Sequence, residues 1–190
     1  MEEKNRYQIV ISGVGGQGVL FITRLLAEAA IRKGLPVFTS ETHGMAQRGG
    51  TVISHLKIGD FASPLISPGN ADGLIALKAE SLDLHGGYLK SWGWAVINSP
   101  GPLTIKGTAR LYYLDADRLA REMNDPRSVN LIMLGFALSN ARRDSFGHDS
   151  LYCSPHDVEA VLQNRLKGKS HRHQLSLRAL KAGAESAQAA

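Results

Sequence analysis

The chain has 190 residues, 43% of them hydrophobic and 21% charged, with a formal net charge of +5. Length and apolar content suit one globular domain with a sizeable core, placed at residues 1–164, and no apolar run approaches the ~20 residues of a membrane helix, so no membrane association is expected. One cysteine, Cys153, excludes both an intrachain disulfide and a self-contained four-thiolate iron–sulfur cluster.

The opening Met1-Glu2-Glu3-Lys4 lacks a basic start followed by an apolar stretch, so no secretory signal is expected and the single thiol suits a cytoplasmic location. The apolar run at residues 7–12 predicts a strand. It leads into Gly13-Val14-Gly15-Gly16-Gln17-Gly18 and then an amphipathic helix over 19–33, in which Val19, Ile22, Leu26 and Ala29 share a face and Gly34 is the stop. A second strand is predicted at 36–40, followed by a polar loop, Ser40-Glu41-Thr42-His43-Gly44-Met45-Ala46-Gln47-Arg48-Gly49-Gly50. Residues 51–58 alternate as a strand with Val52, Ser54, Leu56 and Ile58 on one face. No crossover helix separates these two strands, so the sheet should be mixed.

Further strands are expected at 73–77, 95–98 and 110–114, and helices at 117–123, 129–141 and 155–166. Ser154, Pro155 and Asp157 mark the start of the last helix. This alternation predicts an α/β fold, a three-layer Rossmann-like α/β/α sandwich with a mixed sheet. Residues 165–190 read as a basic, partly helical tail, because the acids and bases of 1–164 balance. The surplus comes from Arg165, Lys167, Lys169, Arg172, Arg178 and Lys181 against Glu185. With no aromatic residue there for base stacking, an acidic partner surface or solvation is expected rather than nucleic acid.

The glycine loop admits two readings: a tight strand-to-helix junction, or a turn whose N–H groups, with those of the helix start, bind an anion. Glu41 stands where an acid would grip a ribose in a dinucleotide fold, and equally where a cap or ion-pair partner would stand. His43 reads as a hydrogen-bonded loop histidine with proton transfer as the weaker alternative, and Met45 as an apolar contact. Cys153 reads as structural, Asp115 and Asp117 as helix caps, and Asn130 as the partner of a buried backbone group. His171 and His173 flank Arg172, whose charge opposes a cation, and no metal site is expected.

GVGGQG, the ETHGMAQRGGTVISHLKIG segment and Ser63-Pro64-Leu65-Ile66 resemble the gamma-type domain of 2-oxoacid:ferredoxin oxidoreductases. The HGMAQRGG form is most similar to the small beta subunit of the indolepyruvate-type members. Asn130-Leu131-Ile132-Met133-Leu134-Gly135 and the Leu177 to Gly183 segment are also similar to family segments. The resemblance implies a small subunit that completes a thiamine-diphosphate-dependent oxidoreductase acting on an aryl pyruvate. Thiamine diphosphate, Mg²⁺ and iron–sulfur clusters are then expected in a large partner subunit and none on this chain alone. Ferredoxin and coenzyme A are expected as partners of the complex. The anion- or partner-binding loop of Gly13, Gly15, Gly16, Gln17 and Gly18 and the second loop of Glu41, His43, Met45, Gln47, Arg48, Gly49 and Gly50 are expected at the carboxyl ends of adjacent strands, with Arg48, Gln47 and the N–H groups of Gly15 to Gly18 facing the partner's active-site entrance. Two other readings stay open: a free-standing NAD(P)-binding oxidoreductase using Gly13, Gly15, Gly18 and Glu41, and a binding or regulatory module.

Overall fold

Six strands, β1 (Tyr7–Val14), β2 (Val37–His43), β3 (Thr51–Ile58), β4 (Ala71–Ala76), β5 (Leu89–Asn98) and β6 (Arg110–Leu114), form one sheet in the order β2-β3-β1-β4-β5-β6. A computed structural model describes residues 6–43, 50–104, 108–141, 151–168 and 170–186. Its helices are α1 (Val19–Arg32), α2 (Glu80–His85), α3 (Ala116–Glu122), α4 (Val129–Asn140), α5 (Pro155–Arg165) and α6 (Ser170–Ser186). β3 runs antiparallel to both of its neighbours, β1 and β2, while β1, β4, β5 and β6 pair in parallel. The α/β class and the mixed sheet expected from the sequence are both present. Antiparallel strands need only a short connection, which is why no helix stands between β2 and β3.

The alternation along the strands builds two cores. Ile9, Ile11, Val52, Leu56 and Ile58 face α1 and the helices α3 to α6, whereas Val10, Ile53, Leu74, Ala76 and Ile97 face a thin cover of α2 and loops. Burial on both faces makes the central strands nearly continuously apolar. α4 lies between the sheet and α6, so residues 131–138 are all buried, and each Leu or Ile among them contributes about 1.5–3 kcal/mol.

Small residues set how closely α4 and α6 approach. A Cβ on Gly135 would stand 1.9 Å from the Leu180 carbonyl oxygen, and one on Gly183 1.9 Å from that of Ile132. The two backbones therefore touch. α5 is stitched to α1 by polar contacts: Arg165 Nε donates to Glu28 at 2.7 Å, Lys33 Nζ lies 2.8 Å from Asp157, and the Tyr152 hydroxyl donates to Leu26 O at 2.5 Å. Ser154 and Asp157 close the capping box at the start of α5.

Several boundaries differ from the sequence expectation. β5 starts at Leu89, because the register jumps from Ala71↔Leu89 to Gly73↔Trp94 and residues 90–93 bulge out of the ladder. α2 has no counterpart in the apolar periodicity. It spans six residues and starts without a side-chain cap. No helix among the described residues is long and apolar enough to cross a membrane.

Candidate functional site

β1 ends in the glycine loop at the carboxyl edge of the parallel strands, the edge where open α/β sheets hold ligands. Gly16 and Gly18 have φ of 92° and 85°, left-handed values that glycine adopts at little cost. Gly16 has no atom within 4 Å of where a Cβ would sit, while at Gly18 that position is 2.1 Å from Asn130 Nδ2. The Gln17 amide locks the turn: its Oε1 accepts the Val14 N–H at 2.8 Å and its Nε2 donates to Leu77 O at 3.3 Å. Leu77 O also accepts from Asn98 Nδ2 at 3.1 Å, and Asn98 in turn takes the Ala116 N–H on Oδ1 at 3.0 Å. One chain of amides thus ties the loop to the ends of β4 and β5 and to the start of α3.

The second motif loop meets the first at its base. β1 and β2 are not neighbours, since β3 lies between them, and this corrects the expectation that the two loops follow adjacent strands. They still come together, because β3 begins at the same edge and the Gly15 N–H donates to Gly50 O at 3.0 Å. His43 ends β2 in register with Val52. Gly44, Met45, Ala46, Gln47, Arg48 and Gly49 lie outside the described residues. Glu41 is exposed on the edge strand, in register with Ser54, and β3 separates its strand from the glycine loop.

A groove of about 910 Å³ opens beside the glycine loop. Gly16, Gln17 and Phe21 form one wall, the start of α4 with Arg127 and Asn130 another, and the first turns of α6 with Arg172 the third. The N-cap residues of α1 and α4 make no side-chain cap bond, and the positive ends of two helix dipoles converge here. Two acids also line the groove, both engaged: Asp117 Oδ2 accepts from Asn98 Nδ2 at 2.8 Å and Asp125 Oδ1 from the Arg127 N–H at 3.3 Å. Asp115 caps α3 through the Arg118 N–H at 2.8 Å.

Asn130 partners a backbone N–H, as expected from the sequence, and also lines the groove. It stands in an apolar helical stretch, yet its Oδ1 accepts its neighbour's N–H, Leu131, at 2.7 Å and its Nδ2 closes over Gly18. The signal available in the sequence is an amide at the second position of a helix, where orphan N–H groups need acceptors. Arg127 carries no comparable signal and reaches the groove only through the fold.

Cys153 is buried beside Tyr152, and burial pushes its thiol up to about 12. A lone thiol held protonated does not fit an iron–sulfur cluster. Among the described residues no group of three or more His, Cys, Asp or Glu is gathered as a metal site.

A Rossmann-like sheet with one reversed strand, carrying a glycine turn, a second loop anchored to it and a groove at two helix amino termini, defines an α/β domain whose working edge is that of dinucleotide folds without their strand order. The match to the pyruvate ferredoxin/flavodoxin oxidoreductase family covers residues 8–186, and the chain belongs to that family. It is 34% identical to the indolepyruvate oxidoreductase subunit IorB of Archaeoglobus fulgidus, over 94% of each chain. The gamma subunit of a keto/oxoacid ferredoxin oxidoreductase from Geobacter sulfurreducens superposes with a TM-score of 0.74 at 25% identity, covering 97% of this chain and 99% of that one. The 2-oxoglutarate:ferredoxin oxidoreductase of Magnetococcus marinus, solved with 2-oxoglutarate, coenzyme A and succinyl-CoA, gives a TM-score of 0.78 at 25% identity. There the match covers 99% of this chain but 32% of the longer one.

Proposed function

We propose that this chain is the small subunit of a thiamine-diphosphate-dependent 2-oxoacid:ferredoxin oxidoreductase whose substrate is indolepyruvate or another aryl pyruvate, converted to the acyl-CoA in the cytoplasm. The observation that carries this reading is the alignment, over nearly the full length of both chains, with a separate subunit of an indolepyruvate oxidoreductase. The carbanion sink and the one-electron relay that oxidative decarboxylation needs are supplied by thiamine diphosphate and iron–sulfur clusters in a large partner subunit.

This chain's part is to bind and orient at its carboxyl edge. The N–H groups of Gly16 and Gly18, with Gln47 and Arg48 from the second loop, face the partner's active-site entrance and hold a carboxylate or phosphate there, the Gly15 and Gln17 N–H groups being taken by Gly50 O and Val14 O. The groove between the glycine loop and Arg127 and Arg172 suits the same anionic chemistry, whether it belongs to the substrate, to coenzyme A or to an acidic side chain of the partner. Glu41, His43 and Met45 complete the docking edge rather than perform covalent chemistry.

Purification of the tagged chain from its native cytoplasm, with mass spectrometry of what accompanies it and an assay of 2-oxoacid-dependent viologen reduction, tests the proposal. A large thiamine- and cluster-bearing partner with activity highest on aryl pyruvates is the expected result. A solitary chain that binds NAD(H) tightly overturns it.

A further inference from the structure

Residues 59–70, α2 and the turn after it cover the second face of the sheet, packed there by Ile66 and Leu82 and by the Phe61 ring beneath Arg6 and Lys57, and a polar cluster that the proposed function leaves unused lies under them. His55, on β3, is 3% exposed, and its Nδ1 accepts the buried N–H of Ile66 at 3.3 Å. A backbone amide only donates, so this nitrogen must keep its lone pair and the neutral ring carries its proton on Nε2. His85 of α2 brings Nδ1 within 2.8 Å of Ser12 Oγ, which also lies 3.1 Å from Ser81 Oγ. The Tyr88 ring packs against both imidazoles, its centroid 5.3 Å from that of His55 and 6.3 Å from that of His85.

Among the described residues, a proton gained by either imidazole meets no carboxylate to pair with. Val10 and Ser40, the register neighbours of His55 on β1 and β2, are uncharged, and Lys57 on its own strand is cationic. Asp72 on β4 pairs with Lys90 and takes the Gln8 N–H at 2.7 Å. Asp60 in the covering segment and Glu80 and Asp83 on α2 make no ion pair with either imidazole, and Lys78 precedes that helix as a further cation. Burial lowers the pKa of both rings, and His85 and Lys57 lower that of His55 further.

We propose that His55 is a proton-operated latch: a proton on Nδ1 breaks its bond to Ile66 and releases residues 59–70 and α2 from the second face of the sheet. The hydroxyl of Ser12 accepts from a protonated His85 as readily as it donates to a neutral one, so His85 keeps its contact in either state and acts on the latch through its charge. Because both imidazoles titrate below the ordinary 6.5, the stability they lend is complete above that pH and is lost as pH falls below it toward the lowered values.

Hydrogen exchange of the full chain near pH 7.5 and near pH 5.5, corrected for intrinsic rates, tests the latch. The Ile66 amide should lose about tenfold more protection than the Val10 amide of central β1. In His55→Gln the side-chain carbonyl still accepts the Ile66 N–H but does not titrate, so the selective loss should vanish. His85→Gln, which leaves the latch in place, should keep the loss but move its midpoint upward toward 6.5. Equal behaviour of Ile66 and Val10 in the wild-type chain, or the same selective loss in His55→Gln, overturns the proposal.

Discussion

Gln17 spends both ends of its amide inside the fold, and this decides what the glycine loop offers a ligand. Its carbonyl serves Val14 and its NH₂ serves Leu77, and the Gly15 and Gln17 N–H groups bond to Gly50 O and Val14 O, so the loop donors left for a ligand are the N–H groups of Gly16 and Gly18. Gln17→Ala would leave the Val14 N–H without its acceptor, whereas Leu77 O would still receive the Asn98 amide. The expected cost is therefore that of one orphaned, half-buried donor, about 1–3 kcal/mol by urea unfolding. A change within ~0.5 kcal/mol would mean that water replaces the amide and that the loop is not locked. Gly18 stands at the other extreme, since its left-handed φ of 85° and the Asn130 amide against it both forbid a side chain without rearrangement.

At the scale of elements, the crossing of α4 and α6 is the joint with least tolerance. The atoms nearest a Cβ on Gly183 are backbone atoms of Ile132, and these cannot swing aside as a side-chain end can. Gly183→Ala should separate the helices and destabilise the chain by more than ~2 kcal/mol, with hydrogen-exchange protection lost first along α6. Gly87→Ala, at a position with open space around it, is the matched control and should stay within ~0.5 kcal/mol. Equal effects of the two substitutions would show that the crossing is looser than its geometry. This joint was not readable from pattern alone: the helix-facing residues Ala179 and Gly183 are small, and the basic side chains around them suggest a solvated tail. β1, the glycine loop and α1 were readable, because an apolar run, a glycine cluster and a three-four apolar spacing follow one another without interruption. α2 was not, being shorter than two turns and uncapped. The reversal of β3 was legible only as a missing helix, and its insertion between β1 and β2, which carries Glu41 away from the glycine loop, is a fact of tertiary pairing that no local signal encodes.

Across the whole molecule, the polar groups are divided between one edge of the sheet and one of its faces. The carboxyl edge gathers the glycine loop, the anchor points of the second loop and the groove, while the latch cluster sits under the cover of the opposite face. Arg48 belongs to a loop tied at one end by His43, paired with Val52, and at the other by Gly50, bonded to Gly15. If that loop presents Arg48 to an anion in the assembled enzyme, Arg48→Ala removes a charge-assisted hydrogen bond worth roughly 1.5–3 kcal/mol. In the reconstituted complex kcat/KM for 2-oxoacid-dependent viologen reduction should then fall about 10- to 100-fold, with the urea midpoint of the isolated chain unchanged. Arg48→Lys should restore part of the loss, since an ammonium supplies the charge without the guanidinium fork. Full activity of Arg48→Ala in an intact complex would remove Arg48 from the site and leave the backbone donors of the glycine loop as this chain's contribution.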